Sequence, residues 1–179
     1  KPSASARIPM SCRVRRVVVT NRYRAKMENP YQTFVDRWTH PDYRPQPCTP
    51  DALDLAESQL STVLPNSLRD FLEAFGPVST NIELLDRIVD GELDLHDVSE
   101  FHNADDLVKE STAWRSLGLA PDLIAFARDC MGNLFCFKST PTRRADSDVW
   151  FFDHDFGTNE SLEVSFKEWI GVFAHLPDS

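Results

Sequence analysis

The fold is decided by three consecutive runs, Leu123-Ile124-Ala125-Phe126-Ala127-Arg128, Leu134-Phe135-Cys136-Phe137-Lys138 and Val149-Trp150-Phe151-Phe152-Asp153. Each run is short, apolar on both sides of the chain and bounded by Gly, Asn, Asp or Pro, which is typical of strands rather than helices. The first two are joined through Gly132-Asn133, residue types that tolerate the left-handed backbone of a tight strand connection. The stretch predicts three adjacent strands, the first two forming a hairpin.

Strands that are apolar on both faces need cover on both faces, which the rest of the chain must supply. The chain has 179 residues, of which 41% are hydrophobic and 11% aromatic, enough for one domain with a substantial core. The sequence predicts an α+β fold: a single domain with a mostly antiparallel twisted sheet, packed by N-terminal and C-terminal helices.

Five segments outside these strands carry helix signals. Thr49-Pro50-Asp51 combines an N-cap residue, a proline at the first helical position and an acid in the first turn. Ser165-Phe166-Lys167-Glu168 is a capping box. The predicted helices are Tyr31–Trp38, one beginning at Pro50, Pro65–Phe75 ended by Gly76-Pro77, Ala104–Trp114 capped by Asn103, and one beginning at Phe166.

Residues 78–101 are predicted to contain two further strands. Ile82-Glu83-Leu84-Leu85 and Leu93-Asp94-Leu95-His96-Asp97-Val98 flank a turn at Val89-Asp90-Gly91-Glu92. The second segment alternates apolar and polar side chains, as a half-exposed strand near a sheet edge does.

The formal net charge of −9 is unevenly distributed. Residues 1–26 hold 8 of the 19 basic residues and no acid, so residues 27–179 carry 11 bases against 28 acids, a formal charge of −17. A body this acidic repels phosphates, which argues against direct nucleic-acid binding, and it suits a basic partner. No apolar run approaches the roughly 20 residues of a membrane span, so we expect a soluble, cytoplasmic protein without membrane contact.

The basic arm, residues 1–26, has three interpretations: a nucleic-acid or membrane-binding tail, a targeting peptide, or a translated segment upstream of a native start at Met27. The abrupt change of composition at Met27-Glu28 favours the last, an arm that is non-native or disordered. Residues 27–48 are then a short helix and a Pro-rich strap, and residues 49–179 are the main domain.

The four cysteines, Cys12, Cys48, Cys130 and Cys136, lack the spacing of a zinc site. Cys130 and Cys136 flank the hairpin turn, so a cross-strand disulfide is one interpretation. Buried or unreactive thiols in a cytoplasmic protein are the other, and we favour it.

The order of these signals resembles the SUKH superfamily, which comprises bacterial immunity proteins and related fungal regulators of cell-wall synthesis. The likeness covers residues 50–175. It rests on Glu57, Leu60, Leu64, Pro65, Phe71 and Leu72 for the family's leading helix pair, and on Phe126-Ala127, Gly132-Asn133, Phe137 and Asp153-His154 for its hairpin and following strand.

Two positions depart from the family pattern. Phe75-Gly76 stands where the family usually has Asn-Gly, and Lys138 stands where an acid often ends the second hairpin strand. The resemblance implies a protein without catalytic activity that binds a cognate toxin domain, commonly a nuclease or another nucleic-acid-acting enzyme. The alternative is an interaction or regulatory module of the same fold without a toxin partner.

An enzyme is the third reading and the least favoured. Asp153-His154-Asp155 could ligate a metal, but the other histidines show no ligand spacing. No nucleophile motif and no Gly-rich phosphate loop is present. We therefore expect no catalytic residue, no metal and no cofactor.

The acids of the body are the candidate partner-binding residues, because a surface that imitates phosphate charge would associate quickly with the basic cleft of such a toxin. For any single acid, a solvated surface remains the simpler reading. The predicted contact residues are Asp90, Glu92, Asp94, Asp97, Asp153, His154, Asp155, Glu160 and Glu163.

Overall fold

The computed structural model describes residues 29–177. The predicted basic arm, residues 1–26, and Cys12 lie outside the described residues. Within the described range the helices are α1 (Pro30–Trp38), α2 (Pro50–Leu60), α3 (Asn66–Ala74), α4 (Ile82–Asp90), α5 (Ala104–Arg115) and α6 (Phe166–Ala174). The strands are β1 (Glu100–Phe101), β2 (Leu123–Arg128), β3 (Leu134–Lys138), β4 (Asp148–Asp153) and β5 (Thr158–Ser165).

The five strands form one antiparallel sheet in the order β1-β2-β3-β4-β5. Phe137 pairs with Ile124 across the first hairpin, and Leu134 pairs with Phe152 on β4. The three predicted strands, their hairpin and the α+β class are confirmed.

The edge strand β5 was not predicted from the sequence. Its polar residues, with Glu160 and Glu163 among them, give it no apolar run. It is a strand because β4 supplies its hydrogen-bonding partner: Glu160 lies opposite Phe151 and Thr158 opposite Asp153.

The predicted strand Ile82–Leu85 is wrong. It is the first turn of α4, whose N-cap Asn81 accepts a hydrogen bond from the backbone N–H of Leu84. Leu84 and Ile88 are the buried side chains of this helix, four residues apart on one face. The helical period appears only when residues 82–90 are taken as one segment.

The predicted strand Leu93–Val98 is also wrong, because no neighbouring strand pairs with it. The alternation holds for part of the segment, since Leu93 and Leu95 pack against the core while Asp94 is exposed. It fails at Val98, which is fully buried. Residues 93–98 therefore form neither a helix nor a strand.

The sheet is buried on both faces, as its apolar strands require. One face carries Phe126, Phe135 and Phe151 in the main core, together with residues of α1, α3 and α6. The opposite face carries Leu123, Cys136 and Phe152, covered by Trp114 of α5 and by Leu119.

The helix signals placed five of the six helices of the described residues correctly. The capping box at the start of α6 is formed, with the Ser165 side chain and the Glu168 side chain each accepting from the other's backbone N–H. Helix α1 packs into the main core through Phe34, which is fully buried. Its Trp38 indole N–H donates to the Phe173 carbonyl of α6 at 2.9 Å, which fastens the two helices together.

Candidate protein-binding surface

The turn between β2 and β3 is held by a buried carboxylate. Asp129 is 4% exposed and accepts hydrogen bonds from the backbone N–H groups of Met131 (2.9 Å) and Asn133 (2.8 Å) and from the Asn133 amide (2.8 Å). Gly132 supplies the left-handed backbone, with φ of 94°. This rigid turn holds Met131 outward with 69% of its side chain exposed.

The turn between β4 and β5 is built in the same way. Asp153 Oδ1 accepts from the backbone N–H groups of Asp155 (3.0 Å) and Phe156 (3.1 Å), and Gly157 adopts φ of 64°. Phe156 is 81% exposed, the highest exposure among the large apolar side chains of the described residues.

The two turns meet at the same end of the sheet, because Leu134 at the start of β3 pairs with Phe152 near the end of β4. Asn133 Oδ1 accepts from the His154 backbone N–H (3.2 Å) and lies 2.9 Å from His154 Nδ1. The Asn133 amide nitrogen already donates to Asp129, so its oxygen is the acceptor and His154 Nδ1 donates. We call residues 129–133 and 153–157 the turn-end surface.

Some of the predicted acids lie next to this surface. The His96 ring stacks on Phe151, and Phe151 is the cross-strand partner of Glu160. Asp94, two residues before His96, is exposed. The stack therefore places the segment that carries Asp94 against β4, and the neighbouring strand β5 carries Glu160.

The remaining predicted residues have different environments. Asp90 and Glu92 are exposed where α4 ends, and Glu92 has a left-handed backbone, with φ of 47°. Glu163 is exposed at the irregular part of β5, opposite β4 residues 148–150 and away from the turn. Asp97 is buried: its Oδ2 accepts from the Cys130 backbone N–H at 3.1 Å, and burial raises the pKa of its carboxyl group. It supports the turn rather than facing solvent.

The apolar tips of this surface, Met131 and Phe156, were missed by the sequence reasoning, which considered charge alone. A signal was present. Each apolar residue stands in a segment of turn-forming residues, directly before a glycine: Asp129-Cys130-Met131-Gly132-Asn133 and Asp153-His154-Asp155-Phe156-Gly157. A single exposed apolar side chain is common on protein surfaces, but two on adjoining turns place apolar area at one end of the sheet, as interaction sites do.

The described thiols are unsuited to nucleophilic chemistry. Cys48, Cys130 and Cys136 are all free, so the cross-strand disulfide is not formed. Burial, followed by the hydrogen bond and charge of Asp97, raises the pKa of Cys130 to about 11, and burial raises the pKa of Cys136 further. A protonated thiol is a poor nucleophile. Within residues 29–177 no three His, Cys, Asp or Glu side chains converge as metal ligands would.

An ion pair between a buried carboxylate and a partly exposed guanidinium joins the leading helix pair to the loop between β3 and β4. Glu57 of α2 is 7% exposed and receives both terminal nitrogens of Arg143, at 2.9 and 2.8 Å. Glu57 also accepts from the Leu64 backbone N–H (2.9 Å), and Arg143 donates to the Leu64 carbonyl (2.9 Å). The sequence motif around Glu57, Leu64 and Pro65 thus anchors the β3–β4 loop, because Glu57 and the Leu64 carbonyl both bind Arg143.

These features agree with a comparison against family models. The model of the SMI1 / KNR4 family (SUKH-1) matches residues 47–171, which run from the end of the strap through the anchor, the sheet and most of α6. The chain belongs to the SMI1/KNR4 family. The resemblance to the SUKH superfamily seen in the sequence is thereby confirmed, and with it an immunity-like or SMI1/KNR4-type module.

No curated protein matches this SUKH-1 chain. In the described part of the chain, the helices are all too short or too polar to cross a bilayer.

Proposed function

We propose that this SUKH-1 protein is a non-catalytic, cytoplasmic immunity protein that neutralises a cognate toxin domain by binding it through the turn-end surface. The observation that carries the proposal is the exposure of Phe156 and Met131 on two turns that are fixed by buried or capping carboxylates. Aromatic and Met side chains are enriched in the energetically dominant part of protein interfaces. Here the backbone that carries them is fixed before binding by the turn hydrogen bonds, so less backbone entropy is lost on association.

The charge around these tips supports a basic partner. Asp155 belongs to the turn-end surface and Glu160 follows it on β5, both exposed, and residues 27–179 carry a formal charge of −17. A nuclease or other nucleic-acid-acting toxin has a basic cleft that binds phosphates. An acidic surface is attracted to such a cleft, accelerates encounter and excludes substrate from it.

The first experiment identifies the partner. Affinity-tagged protein is used to capture proteins from the source cells, and the captured proteins are identified by mass spectrometry. Capture of a toxin domain encoded beside this gene is expected. Capture of a protein that is not a toxin would favour the regulatory alternative and reject the immunity proposal.

The second experiment tests the surface with the captured toxin domain. Phe156→Ala is expected to raise the dissociation rate constant by about tenfold or more, whereas Leu55→Ala, at an exposed apolar position on α2, leaves it unchanged. The double variant Asp155→Lys/Glu160→Lys is expected to slow association at low salt. Its control, Asp122→Lys with Glu73→Lys, changes the net charge equally at other exposed or half-exposed positions. Equal effects of surface and control variants would reject the turn-end surface.

A further inference from the structure

Helix α4 is apolar on two sides, and one of them is open to solvent. Leu84 and Ile88 are buried in the main core, whereas Ile82 and Val89 are 64% and 63% exposed. Leu85 is half-buried between them. Residues 82, 85 and 89 have the i, i+3, i+7 spacing of one helical stripe. We call Ile82, Leu85 and Val89 the α4 stripe.

A groove of about 640 Å³ runs beside the start of this helix. Its lining includes Thr39, His40, Ile82, Leu85, Ser99 and Cys130. Its walls are fixed by backbone hydrogen bonds that continue the sheet beyond β1: His40 N–H donates to the Ser79 carbonyl (2.8 Å) and Thr80 N–H to the Ser99 carbonyl (2.9 Å). Ile82 and Leu85 of the α4 stripe therefore form one rim of a preformed groove, and Val89 continues the stripe beyond it.

The charge of the groove is negative. Its lining contains Asp36, Glu83 and Asp97, and no Lys or Arg of the described residues lies within 4.0 Å of these three carboxylates. Asp97 is 9% exposed and is hydrogen-bonded to Cys130 rather than paired with a cation.

The basic lining residue, Arg37, is turned toward α6. Its guanidinium donates to the carbonyls of Leu176 (2.5 Å) and Ala174 (3.4 Å) and lies 4.4 Å from the centre of the Trp38 ring. Its charge is therefore directed at helix-terminal carbonyls and an aromatic face. Farther along α4, the exposed Asp86 and Asp90 extend the acidic border beside the α4 stripe.

We propose that this groove and the α4 stripe form a second binding site, for a basic amphipathic helix of a partner protein. The apolar side chains of that helix cover Ile82, Leu85 and Val89, and its Lys or Arg side chains reach the exposed Glu83, Asp86 and Asp90. Charge complementarity selects this occupant: nucleic acid and anionic lipid are repelled by the same carboxylates. A second copy of the chain carries the same carboxylates beside its α4 stripe and is repelled as well.

The groove borders the turn-end surface at Cys130, but the α4 stripe lies outside that surface, and the proposal does not depend on a toxin partner. A peptide probe tests it: a fluorescein-labelled helix of about 18 residues, long enough to form a helix on binding, with Leu on one face and Lys on the other. The control peptide has the same composition in an order that places Leu on all sides. Fluorescence anisotropy is expected to give micromolar binding of the amphipathic peptide and at least about tenfold weaker binding of the control.

Variants then locate the bound peptide. Ile82→Ser/Val89→Ser and, separately, Glu83→Lys/Asp86→Lys are expected to weaken peptide binding about tenfold. Both change exposed positions, so the fold is retained, and thermal melting verifies this. Phe156→Ala is expected to leave peptide binding unchanged, which keeps this proposal distinguishable from the toxin-binding proposal.

Three outcomes would overturn the inference. The first is equal affinity for the amphipathic and control peptides. The second is peptide-induced amide shift changes, measured by NMR, that centre on residues 153–163 instead of residues 39–41, 82–90 and 97–99. The third is a wild-type dimer in sedimentation that Ile82→Ser/Val89→Ser dissociates, since the α4 stripe would then be a self-association surface.

Discussion

The imidazole ring of His96 lies parallel to the phenyl ring of Phe151, with ring centroids 3.8 Å apart and 16° between the planes. The contact joins a segment without regular structure to strand β4, next to Glu160 of β5. It is the direct link between the acids of residues 90–97 and those of the β4–β5 hairpin.

Replacing His96 with Ala should release this segment from the sheet. A stacked aromatic pair contributes about 0.5–1.5 kcal/mol beyond its buried area, so the free energy of unfolding in urea is expected to fall by about that amount. Amide exchange at residues 93–98 is expected to accelerate. His96→Phe keeps the stack and should preserve both values; if His96→Ala leaves exchange unchanged, the stack does not hold the segment.

Replacing Glu57 with Ala should destabilise the protein strongly. The substitution leaves the buried Leu64 N–H without its acceptor, which costs about 1–3 kcal/mol, and it removes the partner of the partly exposed Arg143, whose contribution is reduced by solvent screening. Urea unfolding measures the loss. Asp51→Ala, on the same helix but exposed, is the control, expected within about 1 kcal/mol of wild type.

A double-mutant cycle separates the ion pair from the packing of each side chain. Glu57→Ala and Arg143→Ala are expected to be far from additive, with a coupling free energy of about 1–3 kcal/mol. Additive effects would mean that Glu57 stabilises the connection between α2 and α3 through its bond to the Leu64 N–H, independently of Arg143.

Gly76→Ala should displace the strap that precedes α2. Gly76 has φ of +84°, and a Cβ there would lie 2.1 Å from the Gln46 carbonyl oxygen. Gly157→Ala is the matched control, because Gly157 has φ of +64° but nothing within 4 Å of the added carbon. The control should lose about 1 kcal/mol of stability from backbone strain alone, whereas Gly76→Ala should lose roughly 3 kcal/mol or more. Equal losses of stability in the two variants would show that the strap moves away from the added Cβ without an energetic cost.

His102 should make stability depend on pH near neutrality. The side chain is 4% exposed, its Nδ1 donates to the Ala125 carbonyl at 3.3 Å, and burial lowers its pKa against the opposing influence of that carbonyl and of Glu110, Asp106 and Glu100. Because the folded-state pKa lies below the unfolded-state value, the unfolded chain binds the proton first as pH falls.

The resulting loss of stability begins near the unfolded-state pKa of about 6.5 and grows as pH falls toward the folded-state value, by at most about 1.4 kcal/mol per pH unit. Urea unfolding between pH 7.5 and 5 measures it. His102→Asn should remove this component, while His175→Asn, at an exposed position, should retain it. Parallel profiles for wild type and His102→Asn would contradict the assignment.

The sequence predicted best where a short segment determines its own structure. Helix α6 begins where the Ser165–Glu168 capping box indicates, and β2 and β3 form the hairpin that their apolar runs and Gly132-Asn133 indicate. It failed where structure depends on a distant partner. Leu93–Val98 alternates without being a strand, because no strand of the described residues pairs with it. In contrast, β5 has no apolar run but is a strand, because β4 pairs with it.

By itself the sequence determined the α+β class, the positions of five helices and three strands, the acidic body and the family. These follow from caps, turn residues and hydrophobic periods, which act over a few neighbouring residues, and from composition, which needs no coordinates. Only the tertiary structure decided that Asp97 is buried, that Phe156 and Met131 are exposed, and that α4 has an open apolar stripe. The exposure of a side chain depends on which distant parts of the chain pack against it, and no local pattern records that.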